Sequence, residues 1–119
     1  MLKLLIAYHK PDIIFKSDIL EPIHVGRSGM IKKCTSEDEQ EKLNFMLENM
    51  IGDDTGDNIS DKNPSYNEMT AVYWAWKNYD KIGNPDYIGF MHYRRHFLFK
   101  EDMPRAYYEC NEVLPDHIE

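Results

Sequence analysis

Two arginines and two histidines stand together in His92-Tyr93-Arg94-Arg95-His96, directly after the apolar run Tyr87-Ile88-Gly89-Phe90-Met91. A guanidinium offers a planar fork of N–H donors that fits phosphate or carboxylate oxygens in pairs. Imidazoles beside it titrate near neutrality. In open α/β sheets, ligands bind outside the carboxyl ends of the strands. The cluster therefore reads as a clamp for a diphosphate or carboxylate. On an extended strand His92, Arg94 and His96 would share one face, and Tyr93 and Arg95 the other. If the strand stops near Tyr93, both arginines lie on the following loop, within reach of a ligand. The competing role is an ion pair with one of the 21 acidic residues.

Other candidates are thinner. Tyr8-His9-Lys10 follows the first apolar run, where a nucleotide would meet a doubly wound sheet. The loop Asp53-Asp54-Thr55-Gly56-Asp57-Asn58 is rich in oxygen ligands, with Asp54 and Asp57 as candidates for a Mn or Mg ion. Its glycine and the distal glutamate are not placed as in an EF-hand, and a solvated turn is the stronger reading. Asn58 and Ser60 could instead contact a sugar or base. Glu68 favours a helix dipole and could also accept from a sugar hydroxyl. Neither GxGxxG nor GxxxxGK[ST] occurs, which disfavours a dinucleotide dehydrogenase or P-loop NTPase. Cys34 and Cys110 form no CxxC pair, so zinc is not expected.

These residues need elements to hold them. Residues 2–8 read as a strand buried on both faces, hence part of a parallel sheet. Residues 13–19 are ambiguous between a short helix and a turn. Residues 21–26 read as an edge strand, because Pro22 cannot donate to a ladder, and Ser28-Gly29 reads as a turn. A helix over 35–50 is predicted by Thr35 or Ser36 with an acid three residues on. Its stripe is Leu43, Met46, Leu47 and Met50, and Gly52 ends it. A second helix opens at Asn63-Pro64, with Asn63 as cap, and runs to about Tyr79. Its predicted core face is Met69, Val72, Tyr73 and Trp76, extending to Tyr79, with Trp74 on the opposite side. Residues 86–93 are the second confident strand. Beyond Phe99 the signals weaken.

Composition bounds the partners. The chain has 119 residues, enough for one domain, and 42% hydrophobic with 29% charged residues is ordinary globular usage. A net charge of −7 disfavours nucleic-acid binding, which needs a basic surface. A small positive pocket in an acidic protein suits a small anion. Two cysteines without an export signal argue for free thiols in a reducing compartment. No apolar run approaches the roughly 18 residues of a membrane span. The expected location is the cytoplasm.

Taken together, the segments resemble a known family. They are Thr55-Gly56-Asp57-Asn58-Ile59-Ser60, Lys62-Asn63-Pro64-Ser65-Tyr66, Glu68-Met69-Thr70-Ala71, Tyr73-Trp74-Ala75-Trp76-Lys77-Asn78, Asp86-Tyr87-Ile88-Gly89 and His92-Tyr93-Arg94-Arg95. They are similar to the glycosyltransferase-like family of bacterial capsular and exopolysaccharide clusters. The opening strand, with His9-Lys10-Pro11, and Ile23-His24-Val25-Gly26 match it too. The resemblance runs to about Phe97 and implies a GT-A-like, Rossmann-like α/β fold, mostly parallel with flanking helices. It implies transfer of a sugar from a nucleotide-sugar donor to a glycan or lipid-linked glycan acceptor. Such work would be done in the cytoplasm, or peripherally at the inner face of the membrane. The family's domains run to about twice this length. The expectation is thus an incomplete, donor-binding N-terminal portion, completed by a C-terminal half or a second copy. The alternative is a non-catalytic interaction module derived from that fold. Tyr8, His9, Asn58, Asn63, Glu68, His92, Arg94 and Arg95 are the expected donor-binding residues; no base or nucleophile is assigned.

Overall fold

The computed structural model describes residues 1–95, and the expectations for His96, Cys110 and residues 101–119 lie outside them. Four parallel strands form one sheet in the order β3-β2-β1-β4: β1 Leu2–Tyr8, β2 Leu20–His24, β3 Ile51–Gly52 and β4 Tyr87–His92. The helices are α1 Arg27–Lys33, α2 Glu37–Asn49, α3 Asn63–Tyr66 and α4 Met69–Lys77. The fold is α/β, parallel and helix-flanked, as the sequence predicts.

Strand β1 shows why its apolar run is continuous. It lies between β2 and β4, and Leu4 through Tyr8 are buried on both faces. Leu4, Ile6 and Tyr8 pack with Phe15, Met46, Met50, Met91 and Tyr93. Leu5 and Ala7 pack with Ile23, Val25, Ala71, Trp74 and Ala75. Period-two alternation thus sends one set toward α2 and the other toward α4.

The start of α2 follows its capping signal. Ser36 Oγ accepts from Glu39 N–H, and Glu39 Oε2 accepts from Thr35 N–H; such caps contribute about 1 kcal/mol. Leu43, Met46 and Met50 are buried as predicted, but Leu47 faces solvent. The helix ends at Asn49 with Met50 as its C-cap, and Ile51–Gly52 is already strand.

Five other expectations are corrected. β2 is not an edge strand: β3 pairs with Ile23 and His24, but does not extend to Pro22. The proline therefore sits where no ladder partner calls for its missing N–H. Residues 27–33, expected as a turn around Ser28-Gly29, form α1. The helix expected over 63–79 is broken at Asn67, which takes φ 52°, leaving α3 and α4. Asn63 is the first residue of α3 rather than its cap; its Nδ2 donates across the break to Asn67 O at 2.7 Å and Thr70 Oγ1 at 3.1 Å. The core face of α4 is Thr70, Ala71, Trp74 and Ala75, while Met69 and Trp76 are exposed. Among the described residues, no helix is long and apolar enough to cross a membrane.

Candidate functional site

The connection from β1 leads to β2 and then β3, whereas β4 adds on the other side of β1. The direction of winding therefore reverses between β1 and β4. A crevice opens at such a reversal because successive connections leave in opposite directions. His9 leaves the end of β1 there, and His92 is the last residue of β4.

Aromatic rings build the floor. Tyr8 and Tyr93 stack with centroids 5.5 Å apart, and both are buried. His9 meets the Tyr93 ring edge-on at 5.1 Å, and the His9 and His92 rings are 6.1 Å apart. Tyr8 does its polar work behind the floor: its hydroxyl donates to Ile13 O at 2.7 Å and accepts from Phe15 N–H at 3.2 Å. It anchors the 9–19 connection, and its ring is fully buried beneath the site.

The arginines follow on a tight turn. Arg95 N–H donates to His92 O at 2.9 Å, and Arg94 N–H donates to His92 Nδ1 at 3.2 Å. The ladder ends at His92, so both side chains leave the turn exposed. From across the crevice Glu68 Oε1 approaches His92 Nε2 at 3.6 Å. Glu68 gets there because the helix breaks at Asn67, one residue earlier. Burial lowers the pKa of His92, against the opposing pull of Glu68 and with help from His9, Arg95 and Arg94. Burial also lowers that of His9, with Lys10 and Arg94 adding to it and Glu68 opposing.

A cavity of about 400 Å³ adjoins this crevice, and His9 lines it as well. Its other walls include His24, Gly26, Lys32, Lys33, Ser60 and Asn63. Gly26 has φ 71°, and a Cβ there would come within 2.7 Å of Asn63 Oδ1. Only glycine fits both constraints. Asn58 sits at the base of the adjoining loop, where Nδ2 donates to Gly56 O and Oδ1 accepts from Ser60 N–H. Its role in the structure is to shape the loop.

Sequence reasoning missed what holds this wall. Asp53 is fully buried, and its carboxylate accepts from Gly26 N–H, Arg27 N–H, Ser60 Oγ and Thr70 Oγ1 at 2.5–3.2 Å. It serves the N-terminus of α1, which has no side-chain cap of its own. Arg27, also buried, donates from Nη2 to Met46 O and Met50 O at the end of α2 and from Nε to His24 Nδ1. Burial and then the Arg27 charge push the His24 pKa down to about 4. One signal was available: a distant acid is what an uncapped helix start requires.

The acidic loop is otherwise employed. Asp57 Oδ1 accepts from Tyr73 Oη at 2.8 Å, and the Asp54 charge supports the Arg27 guanidinium. Among the described residues, no three His, Cys, Asp or Glu side chains gather as a metal site.

The comparisons agree with this geometry. Residues 3–117 match the family described as a domain of unknown function, DUF4422. The chain belongs to the DUF4422 family. This DUF4422 chain is also similar to the apo structure of WbbM, a bifunctional glycosyltransferase, at 41% identity and a TM-score of 0.66. That match covers 88% of this chain and 15% of WbbM, so the chain corresponds to a small part of that protein's length. No curated protein matches. The DUF4422 fold is accordingly glycosyltransferase-like, an α/β arrangement of the GT-A kind in part.

Proposed function

We propose that this chain is the donor-binding portion of a glycosyltransferase domain that takes part in capsular or exopolysaccharide assembly. The observation that carries the reading is the reversal of winding at β1 and β4, with His9, His92, Arg94 and Arg95 brought to its mouth. Similarity to a glycosyltransferase supports the reaction class.

In this reading a nucleotide-sugar lies across the carboxyl ends of the sheet. The Arg94 and Arg95 guanidinium groups hold the diphosphate. An acceptor hydroxyl, on a glycan or lipid-linked glycan, attacks the anomeric carbon while the bond from that carbon to the diphosphate oxygen breaks, and the hydroxyl proton is released to solvent. Charge then grows on the leaving nucleoside diphosphate, where guanidinium donors stabilise it most. Asn63 shapes the neighbouring cavity, and Glu68 orients His92. Asp57 accepts from Tyr73, and the Asp54 charge supports the Arg27 guanidinium. The protein works in the cytoplasm, peripherally at the membrane where its acceptor is lipid-linked.

Amide NMR titration of the chain with UDP-, GDP- and dTDP-sugars, with and without manganese, tests this. One donor should shift the resonances of His9, His92 and Arg94. Dispersed spectra that ignore every donor would sink the donor reading. They would favour an interaction module, whose exposed stripe Tyr66, Met69 and Trp76 offers a surface to a second copy or a C-terminal half.

A further inference from the structure

The turn that carries the arginines is held through one residue, His92. Two bonds define it: Arg95 N–H to His92 O, and Arg94 N–H to His92 Nδ1 at 3.2 Å. The second bond is the imidazole counterpart of the turn an Asp or Asn makes with the backbone two residues on. It requires an unprotonated Nδ1, because a protonated imidazole carries donors on both nitrogens. The neutral ring then bears its proton on Nε2, and that edge faces Glu68 Oε1 at 3.6 Å.

We propose that His92 is the positioning residue of the arginine turn and works only as a neutral ring. Nδ1 accepts the Arg94 N–H and fixes the backbone that aims both guanidinium groups; a proton taken up at Nδ1 turns the acceptor into a donor and releases the turn. The inference rests on the donor reading above and adds its regulation.

The charges facing His92 can be named. Glu68 comes from the α3–α4 junction and favours the charged ring. His9 comes from the end of β1, and Arg94 and Arg95 come from the turn itself; all three oppose it. Lys10 acts one step removed, on His9. Burial joins the opposing side, so above pH 6.5 the ring is neutral and the turn is held. It is released as pH falls through the lowered pKa. The sign is diagnostic. Charging His9 and His92 adds positive charge beside the arginines, which by Coulomb's law alone tightens an anion as pH falls. Release of the turn weakens it.

The test follows the Arg94 amide and the His92 ring nitrogens by NMR in the labelled chain from about pH 8 to about pH 5. The Arg94 amide should lose its hydrogen-bonded shift with the midpoint of His92 Nδ1 protonation. In H92N the side-chain oxygen takes the place of Nδ1 and cannot gain a proton, so the amide should stay put across the range. In H92F it should sit at the released position throughout. An Arg94 amide that ignores His92 titration, or that titrates unchanged in H92N, overturns the proposal. Affinity for UDP-glucose, whose charge is constant over this range, should fall severalfold toward low pH; an affinity that rises overturns release as the controlling event. If UDP-glucose and GDP-mannose bind at no pH while the amide follows His92, the donor reading fails and the positioning role stands.

Discussion

Two regions at the same end of the sheet are built in opposite ways. Beyond β2 and β3, Asp53 gathers four donors from three separate segments, and Arg27 ties α2 to His24. These groups are buried and their bonds are short. Beyond β1 and β4, the contacts between polar side chains are longer: 3.5 Å from Tyr93 Oη to His9 Nε2 and 3.6 Å from Glu68 to His92. The arginines there are exposed. Buried polar groups that satisfy one another make a scaffold, since each bond lost leaves a group without water or partner. Polar groups held at the edge of bonding distance keep capacity for a ligand. The first region fixes the walls; the second is where a ligand can add bonds.

The strongest way to break that contrast is Asp53→Ala. It would strand two backbone N–H groups and two hydroxyls. We expect a loss of about 3–5 kcal/mol, or failure to fold, read from the urea midpoint. A loss below about 1 kcal/mol would show that water replaces the carboxylate. Acid acts on the same region through His24. Its pKa is lowered from 6.5 to about 4, so the fold favours the neutral ring. That stability is full above pH 6.5 and should drain by about 3 kcal/mol as pH falls to about 4. Unfolding midpoints against pH measure it, and His24→Gln should flatten the slope.

The crevice should respond in the other direction. Arg95→Ala should leave stability within about 0.5 kcal/mol while weakening nucleotide-sugar binding by about tenfold, the cost of roughly one charge-assisted bond. Calorimetric titration alongside denaturation separates the two effects. The smallest effect is expected from Trp76→Ala, on the outer face of α4. A stability change within about 0.5 kcal/mol would match its exposure, against about 3–5 kcal/mol for Trp74→Ala.

That pair also shows where sequence reading succeeds and fails. β1 is legible because burial on both faces demands an unbroken apolar run, β4 because its shorter apolar run stands between turn signals although it is only half-buried, and α2 because its cap is local. The α4 face was misread because Trp76, Tyr73 and Met69 follow helical spacing as well as Trp74, Ala71 and Ala75 do. Small residues let the sheet approach α4, a tertiary fact that periodicity does not contain. α1 was missed because its cap lies 27 residues away in sequence, between Gly26 and Asp53. The helix break was missed because Asn67 adopts positive φ at a place no turn signal marks. The crevice was half legible: the arginines announce themselves by type, and Glu68 reaches His92 only through that break.

The chain contains two tryptophans, and their surroundings make them optical reporters of different things. Trp74 is sealed in the core with its Nε1 donating to Thr55 Oγ1 at 2.9 Å, so its emission should be blue-shifted and shielded from acrylamide. Trp76 lies open with the Lys77 ammonium 3.8 Å above its ring, so it should emit at longer wavelength and quench readily. Trp74 is bonded to the 53–58 loop, so a ligand that draws on that loop should alter the protected component. Fluorescence of the unlabelled protein would then report whether the scaffold side feels what binds beside it.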